Sequence, residues 1–248
     1  MSLLKPELPP GLLYFPDWLS EAEHDAALQE IDGHDFELGL SRRVQHYGAR
    51  YHYDSSQVAE IGSAPPIPKF LASICERLYK ECEFERMSEQ VIVNEYIDDQ
   101  GIAAHVDRNS FGPKVATISL IESWHMKFRN LGGIEIIDVL LEKNSLAIMT
   151  NESRTNWSHE IKKLKADKIA GLKKYRGRRI SITFRTINPP RYWKWVVDGT
   201  TERIYRLKNG KFERYAQNRW QISDRYERAV QDPEFVEISE PEANKLIG

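Results

Sequence analysis

Residues Val91–Asp107 read VIVNEYIDDQGIAAHVD. Alternation through Val91–Ile97 predicts a strand, with Ile92, Asn94 and Tyr96 on one face. Asn94 and Tyr96 put polar atoms on what should be an inward-looking surface, where they need partners. The stretch closes on His105-Val106-Asp107. Two residues apart on extended backbone point the same way, so an imidazole and a carboxylate can converge on one cation. A third ligand would complete the two-histidine-one-carboxylate triad that leaves positions open on iron(II).

The third ligand is sought downstream. His125, in Trp124–Phe128, and His159, in Trp157-Ser158-His159, both compete for the role. His159 is preferred because Arg179–Arg185, RRISITFR from Arg178, follows it. Period two puts Arg179, Ser181, Thr183 and Arg185 on one face and Ile180, Ile182 and Phe184 on the other. The two guanidiniums are separated by up to about 20 Å of strand, so they would hold opposite ends of a small diacid or serve different groups. A guanidinium fork suits a carboxylate in a dry site. The competing explanation for polar alternation is a solvent-exposed edge strand.

The remaining chain is compatible with a globular protein. It has 248 residues, a formal net charge of −2 and 41% hydrophobic residues, enough for one large domain or one with a small companion. Near-neutral charge names no partner, so any nucleic-acid surface must be local. The two cysteines, Cys75 and Cys82, share a helix face as core residues, and no disulfide framework is expected. There is no apolar run of transmembrane length and no signal-peptide pattern.

Residues 1–16 read as an extended entry. Asp17–Ile31 is helical, with a capping box at Ser20 and Glu23, and Lys69–Glu83 is an amphipathic helix. Between them, residues 41–56 suggest short strands or a hairpin turning at Gly48, and Tyr47, Tyr51 and Tyr53 are either candidates for stacking on a planar substrate or sheet residues with half-buried rings. Strands are also predicted at Val115–Ile121, His125–Phe128, Ile134–Leu140, Ser145–Thr150 and Arg179–Ile187. Many short strands point to an antiparallel sandwich or jelly roll. Residues 162–179 hold nine Lys/Arg against Asp167 alone and read as a solvated loop near the site mouth that could contact phosphates. Asn188-Pro189-Pro190 breaks the pattern, which divides the chain into 1–190 and 191–248. In the tail, Asn209-Gly210 marks a hairpin. Residues 191–219 carry eight Lys/Arg and three acids among interleaved aromatics, whereas 229–248 carry five acids and one lysine. A small β unit with an aromatic core is preferred there over a single-strand-binding surface.

These motifs together resemble the AlkB family of Fe(II)/2-oxoglutarate dioxygenases, nearest the oxygenase domain of ALKBH8-type tRNA wobble-uridine hydroxylases. The resemblance rests on RRVQHYGARYHYD (42–54), NEYIDDQGIAAHVD (94–107), NESRTNWSHEI (151–161) and RRISITFR (178–185), and covers about residues 10–188. It implies an α+β double-stranded β-helix (jelly roll) with flanking N-terminal helices, extended by a small C-terminal β-rich unit. It implies Fe(II) on His105, Asp107 and His159, and 2-oxoglutarate on Asn94, Tyr96, Arg179 and Arg185, one arginine joining Tyr96 on the distal carboxylate. O2 is the other cosubstrate. Asn109 stands where relatives place a base-contacting acid, and Arg154 would buttress the site; with Tyr47, Tyr51 and Tyr53 these complete the substrate-side candidates. The implied reaction hydroxylates or oxidatively demethylates an alkyl group on a base in tRNA or single-stranded DNA. The same chemistry on a protein side chain, or a non-catalytic module keeping the fold, are the alternatives. A cytoplasmic monomer away from membranes is expected, or a nuclear one in a eukaryote. The subgroup's RNA-recognition and methyltransferase domains have no counterpart in these 248 residues, so wobble uridine does not carry over.

Overall fold

The computed structural model describes residues 7–38, 41–52, 57–208, 211–223 and 232–248, with backbone alone for 51, 52 and 57–60. Two compact units emerge, one from Met1–His52, Ala59–Asp107 and Phe111–Ile187, the other from Tyr53–Val58, Arg108–Ser110 and Asn188–Gly248.

In the larger unit, alternating apolar and polar runs build two antiparallel sheets. The six-stranded sheet has the order β1 (Leu12–Phe15), β10 (Leu146–Met149), β7 (Phe111–Leu120), β14 (Arg178–Ile187), β5 (Gln90–Ile97), β2 (Arg43–Tyr47). The four-stranded sheet runs β6 (Ile102–His105), β11 (Trp157–Ile161), β8 (Trp124–Asn130), β9 (Ile136–Leu141). This is the jelly-roll arrangement expected from the sequence. Between the sheets lies a core containing Tyr96, Val115, Trp124, Phe128, Val139 and Trp157. The opposite face of the large sheet, with Val91, Val93, Ile118, Ile180, Ile182 and Phe184, packs on α1 (Glu21–Asp32) and α2 (Lys69–Glu81). α1 starts at the predicted capping box: Ser20 Oγ accepts from the Glu23 amide, and the Glu23 carboxylate accepts from the Ser20 amide. Cys75 is buried in this core and Cys82 packs against it; neither is in a disulfide.

β14 lies between β5 and β7. Its polar alternation therefore belongs to a central strand, and the edge-strand explanation falls.

Two local expectations, the Gly48 turn and the basic loop, are corrected. Gly48 is not a hairpin turn. It kinks the chain between β2 and β3 (Ala49–His52) at φ +75°, where a Cβ would clash with the Glu89 carbonyl; the two-stranded ribbon forms instead between β3 and β4 (Gln57–Ile61). The N-terminal entry contributes β1, antiparallel to β10. Residues 162–179 are not a loop but a hairpin of β12 (Ala166–Ile169) and β13 (Leu172–Tyr175), running into β14. α3 (Asn151–Thr155) precedes β11.

The smaller unit is a five-stranded antiparallel sheet, β18 (Arg219–Ile222), β17 (Lys211–Ala216), β16 (Thr200–Lys208), β15 (Arg191–Val197), β19 (Phe235–Ile238), with α4 (Glu240–Ile247) against it. β16 and β17 pair as a hairpin from Lys208 and Lys211; its turn at 209–210 lies outside the described residues. Trp193, Tyr205 and Phe212 fill one core, and Tyr192 and Ile204 another beneath Ala243 of α4. The aromatics thus hold the unit together. The reversal of charge along the tail is internal complementarity: Arg191 pairs with Glu237 at 2.7 Å and Lys194 with Glu242 at 2.8 Å.

Candidate active site

Pairing of β11 with β6 sets His159 directly opposite His105, their ring centroids 4.3 Å apart. Asp107 follows two residues beyond β6. The ligating atoms of His105, Asp107 and His159 lie within 4.8 Å of one another, and among the described residues these form the cluster suited to a metal ion. The environment prepares each donor. His105 Nδ1 is 2.9 Å from the Ala103 carbonyl; donating there leaves Nε2 as the free lone pair, as metal-bound histidines require. His159 Nε2 stands 3.7 Å from Asp107 Oδ2. Burial pushes the His159 imidazole down to about 3, helped by the neighbouring His105 and opposed by Asp107, so the ring is neutral. Burial alone would raise the Asp107 carboxyl, but Arg185 first, then His159, His105 and Arg154, hold it well below the usual carboxylate range. Arg185 Nη2 contacts Asp107 Oδ1 at 2.6 Å, while Oδ2 is buried with no hydrogen-bond partner among the described residues.

His125 is no competitor. It lies beside Asp167, Nδ1 to Oδ1 3.1 Å, and stands outside the cluster.

At the other end of β14's inward face stands Arg179. It is fully buried; Nη2 donates to Ser119 Oγ at 2.7 Å, while Nε and Nη1 have no partner among the described residues. Burial pushes its guanidinium down to about 10. Register places Tyr96 opposite Arg179 and Asn94 opposite Ser181, and the Arg179 guanidinium lies 5.6 Å from the Tyr96 ring centre. Buried, unpaired N–H groups on a cation are costly, and a carboxylate satisfies them. This observation, with the orphaned Asp107 oxygen, fits the residues to a metal at one end of the face and an anionic cosubstrate at the other.

The substrate-side candidates fare differently. Tyr47 faces away from the site: it is buried in the helix-side core and donates its hydroxyl to Gln45 Oε1 at 3.0 Å. Period two decides this, since Val44 and His46 oppose Asn94 and Ile92 while Tyr47 opposes Val91. Tyr53 and the Tyr51 side chain lie outside the described residues. Asn109 is exposed, its carbonyl accepting from the Asn188 amide at 2.8 Å. The Arg154 guanidinium is turned to the backbone around the site. It is buried and donates to the carbonyls of Asp107 (2.8 Å), Gly112 (3.2 Å) and Phe111 (3.4 Å). Sequence reasoning missed Arg42, whose Nε donates to Asn94 Oδ1 at 2.8 Å. It also missed Ser119 and the buried His46. Their signal was only their place on inward faces, legible once register was known.

Comparison with known proteins agrees with this geometry. Residues 11–185 match the 2OG-Fe(II) oxygenase superfamily, and the chain belongs to it. Within that superfamily it is an AlkB-type Fe(II)/2-oxoglutarate-dependent dioxygenase near the ALKBH8 group. The mouse tRNA (carboxymethyluridine(34)-5-O)-methyltransferase ALKBH8 is 32% identical over 179 residues, 68% of this chain and 27% of that protein. The Arabidopsis thaliana "Alkylated DNA repair protein ALKBH8 homolog" is 30% identical over 213 residues, covering 75% and 61% respectively. The chain thus spans about a quarter of the mouse relative's length. The solved structure of OsALKBH1 superposes with a TM-score of 0.56 at 18% identity, covering 73% of this chain and 98% of that one; it bears on the fold alone. Superfamily membership brings Fe(II), 2-oxoglutarate and O2 as metal and cosubstrates.

Proposed function

We propose that this protein hydroxylates or oxidatively demethylates an alkyl group on a nucleic-acid base, in RNA such as tRNA or in single-stranded DNA. His105, Asp107 and His159 would hold Fe(II), and Asn94, Tyr96, Arg179 and Arg185 would surround 2-oxoglutarate. The observation that carries the reading is the buried guanidinium of Arg179, with two nitrogens unpartnered among the described residues, on the same inward face as the triad. The names of relatives that act on tRNA, or that are called DNA-repair proteins, support the nucleic-acid substrate.

When bound, the metal with its 2-oxoglutarate and O2 would supply the oxidising power, and the protein supplies placement. Arg179 and Tyr96 take the distal carboxylate, since Arg185 is engaged by Asp107. Arg42 occupies the Asn94 carbonyl oxygen, which turns the amide N–H2 group toward the anion. Arg185 fixes one oxygen of Asp107 and keeps the carboxylate ionised, leaving the other for the cation. Arg154 holds the backbone that follows the His-x-Asp motif, so the carboxylate cannot swing away. Apolar walls from Trp124, Phe128 and Trp157 exclude water from the inner end, which strengthens each charge interaction. His105 is the least buried of the three donors, and the substrate carbon approaches from its side. A base within a duplex must first leave the stack, so single strands and loops are the easier substrates.

The test is aerobic incubation with Fe(II), 2-oxoglutarate, ascorbate and bulk tRNA, followed by nucleoside mass spectrometry, with His105→Ala as control. A nucleoside that loses a methyl group or gains one oxygen only with the native protein supports the reading. Succinate without any nucleoside change would remove tRNA and redirect the search to single-stranded DNA or protein.

A further inference from the structure

The β12–β13 hairpin carries cations that the catalytic site does not use. Lys162, Lys163, Lys165, Lys168, Lys173 and Lys174 are all exposed, and among the described residues none forms an ion pair. Cations around them are neutralised: Arg176 by Asp167, Arg178 by Asp32 and Glu95, Lys127 by Asp138 and Lys143 by Glu21. The geometry sharpens the contrast. Lys168 pairs directly across from Lys173, and like charges in that position repel. Tyr175, two residues on and therefore on the same face, is 73% exposed, with Lys173 Nζ 4.7 Å from its ring centre. Beside this face is an open cavity of about 330 Å³ lined by Lys162, Lys168, Lys127 and His125 together with Asp138 and Asp167, whose charges are taken up by Lys127 and Arg176.

The hairpin is firmly mounted. On its inner face Asp167 is buried and held by both Arg176 Nε (2.5 Å) and Nη2 (3.1 Å), with His125 Nδ1 at 3.1 Å. Arg176 in turn lies 4.2 Å over the Trp124 ring. Ala170 and Gly171 turn the chain with φ +49° and +82°, the two positive values that match strand twist in a tight hairpin.

We propose that this hairpin is a nucleic-acid docking arm. Lys162, Lys168 and Lys173 grip phosphodiester groups and Tyr175 stacks a base, the combination that binds single strands without reading sequence. An anion between Lys168 and Lys173 relieves their repulsion, and the rigid mount lowers the ordering cost of binding. The inference rests on the nucleic-acid reading of the active site and adds a surface outside it.

Fluorescence anisotropy with short labelled single-stranded RNA and DNA oligonucleotides, across a salt series, tests it on the full chain. The triple variant Lys162→Glu, Lys168→Glu, Lys173→Glu is expected to bind at least about tenfold more weakly, with a log K–log salt slope shallower by about 2. Tyr175→Ala should lose about fivefold or more with the slope unchanged. The milder pair Lys168→Gln, Lys173→Gln removes a like-charge contact, so it should fold at least as stably as the native chain and still bind more weakly. Equal affinity of native and charge-altered proteins overturns the proposal, as does capture by phosphatidylserine vesicles with no oligonucleotide binding. If the native protein modifies nucleosides yet its affinity is independent of the hairpin, the docking arm falls and the proposed function stands. If it binds neither RNA nor DNA, both fall.

Discussion

Replacement of Arg179 by methionine separates a residue kept for its ligand from one kept for stability. Losing one partner of a buried ion pair ordinarily costs about 3–5 kcal/mol, because a charge is stranded. Among the described residues the Arg179 side chain has no acidic partner, and its side-chain hydrogen bond goes to Ser119. Burial lowers its guanidinium from the ordinary value to about 10, which at 1.36 kcal/mol per unit costs the folded, ligand-free protein on the order of 3 kcal/mol. Against it stands one charge-assisted hydrogen bond of about 1.5–3 kcal/mol. Methionine fills similar volume without a charge, so the two terms nearly cancel. Urea unfolding without ligand should therefore place Arg179→Met within about 1 kcal/mol of the native protein. Cosubstrate binding should suffer severely: truncating one side of a buried charge pair costs about 2–5 kcal/mol, or about 30-fold to several-thousand-fold in Kd. With Mn(II) in place of iron, 2-oxoglutarate at about 100 times its native Kd should stabilise the native protein by about 2.7 kcal/mol and the variant hardly at all. A variant that loses about 3 kcal/mol without ligand, yet binds 2-oxoglutarate normally, would refute the reasoning.

Arg154→Met should lower unfolding free energy by about 2–4 kcal/mol, since three buried carbonyls lose a charged donor; a loss under 1 kcal/mol by urea titration would contradict its role as buttress. Gly48→Ala should destabilise by about 2 kcal/mol or more, because φ +75° and the Glu89 carbonyl both disfavour a Cβ; an unchanged thermal midpoint would count against the kink. His46 adds a pH dependence. Burial pushes its imidazole below the ordinary value, with Glu37 opposing, so the unfolded chain takes up a proton near pH 6.5 while the folded one resists. Its contribution to stability is complete above pH 6.5 and declines as pH falls below it, by up to about 1.4 kcal/mol per unit. His46→Gln should flatten that part of the stability profile, and an identical slope in both proteins would exclude the effect.

The triad motif, the two-faced arginine strand and the capping box of α1 were legible in the sequence because each is a local pattern: spacing of two on a strand, spacing of three at a helix start. Period two also assigned Arg179 and Arg185 to one face correctly. It failed for Tyr47, because counting along a strand cannot say which of two faces looks at the site until the strand has a partner. The basic segment was misread as a loop for a related reason: six lysines in and just before a two-stranded hairpin give no apolar alternation, and the structure of β12–β13 depends on the buried Asp167–Arg176 pair. For the tail the sequence favoured an aromatic core over a stacking platform, and Trp193, Tyr205 and Phe212 are packed on one another as that reading expects.

By itself the sequence determined the chemistry. Donor types, their order and their local spacing are properties of the covalent chain, and they sufficed for an iron- and 2-oxoglutarate-dependent oxygenase. Tertiary structure alone decided the division of labour. Long-range register set His159 against His105, gave Asp107 to Arg185, and left Arg179 beside Tyr96 without a counter-charge among the described residues. Those pairings join residues far apart in the chain, and they exist only once the strands have found their neighbours.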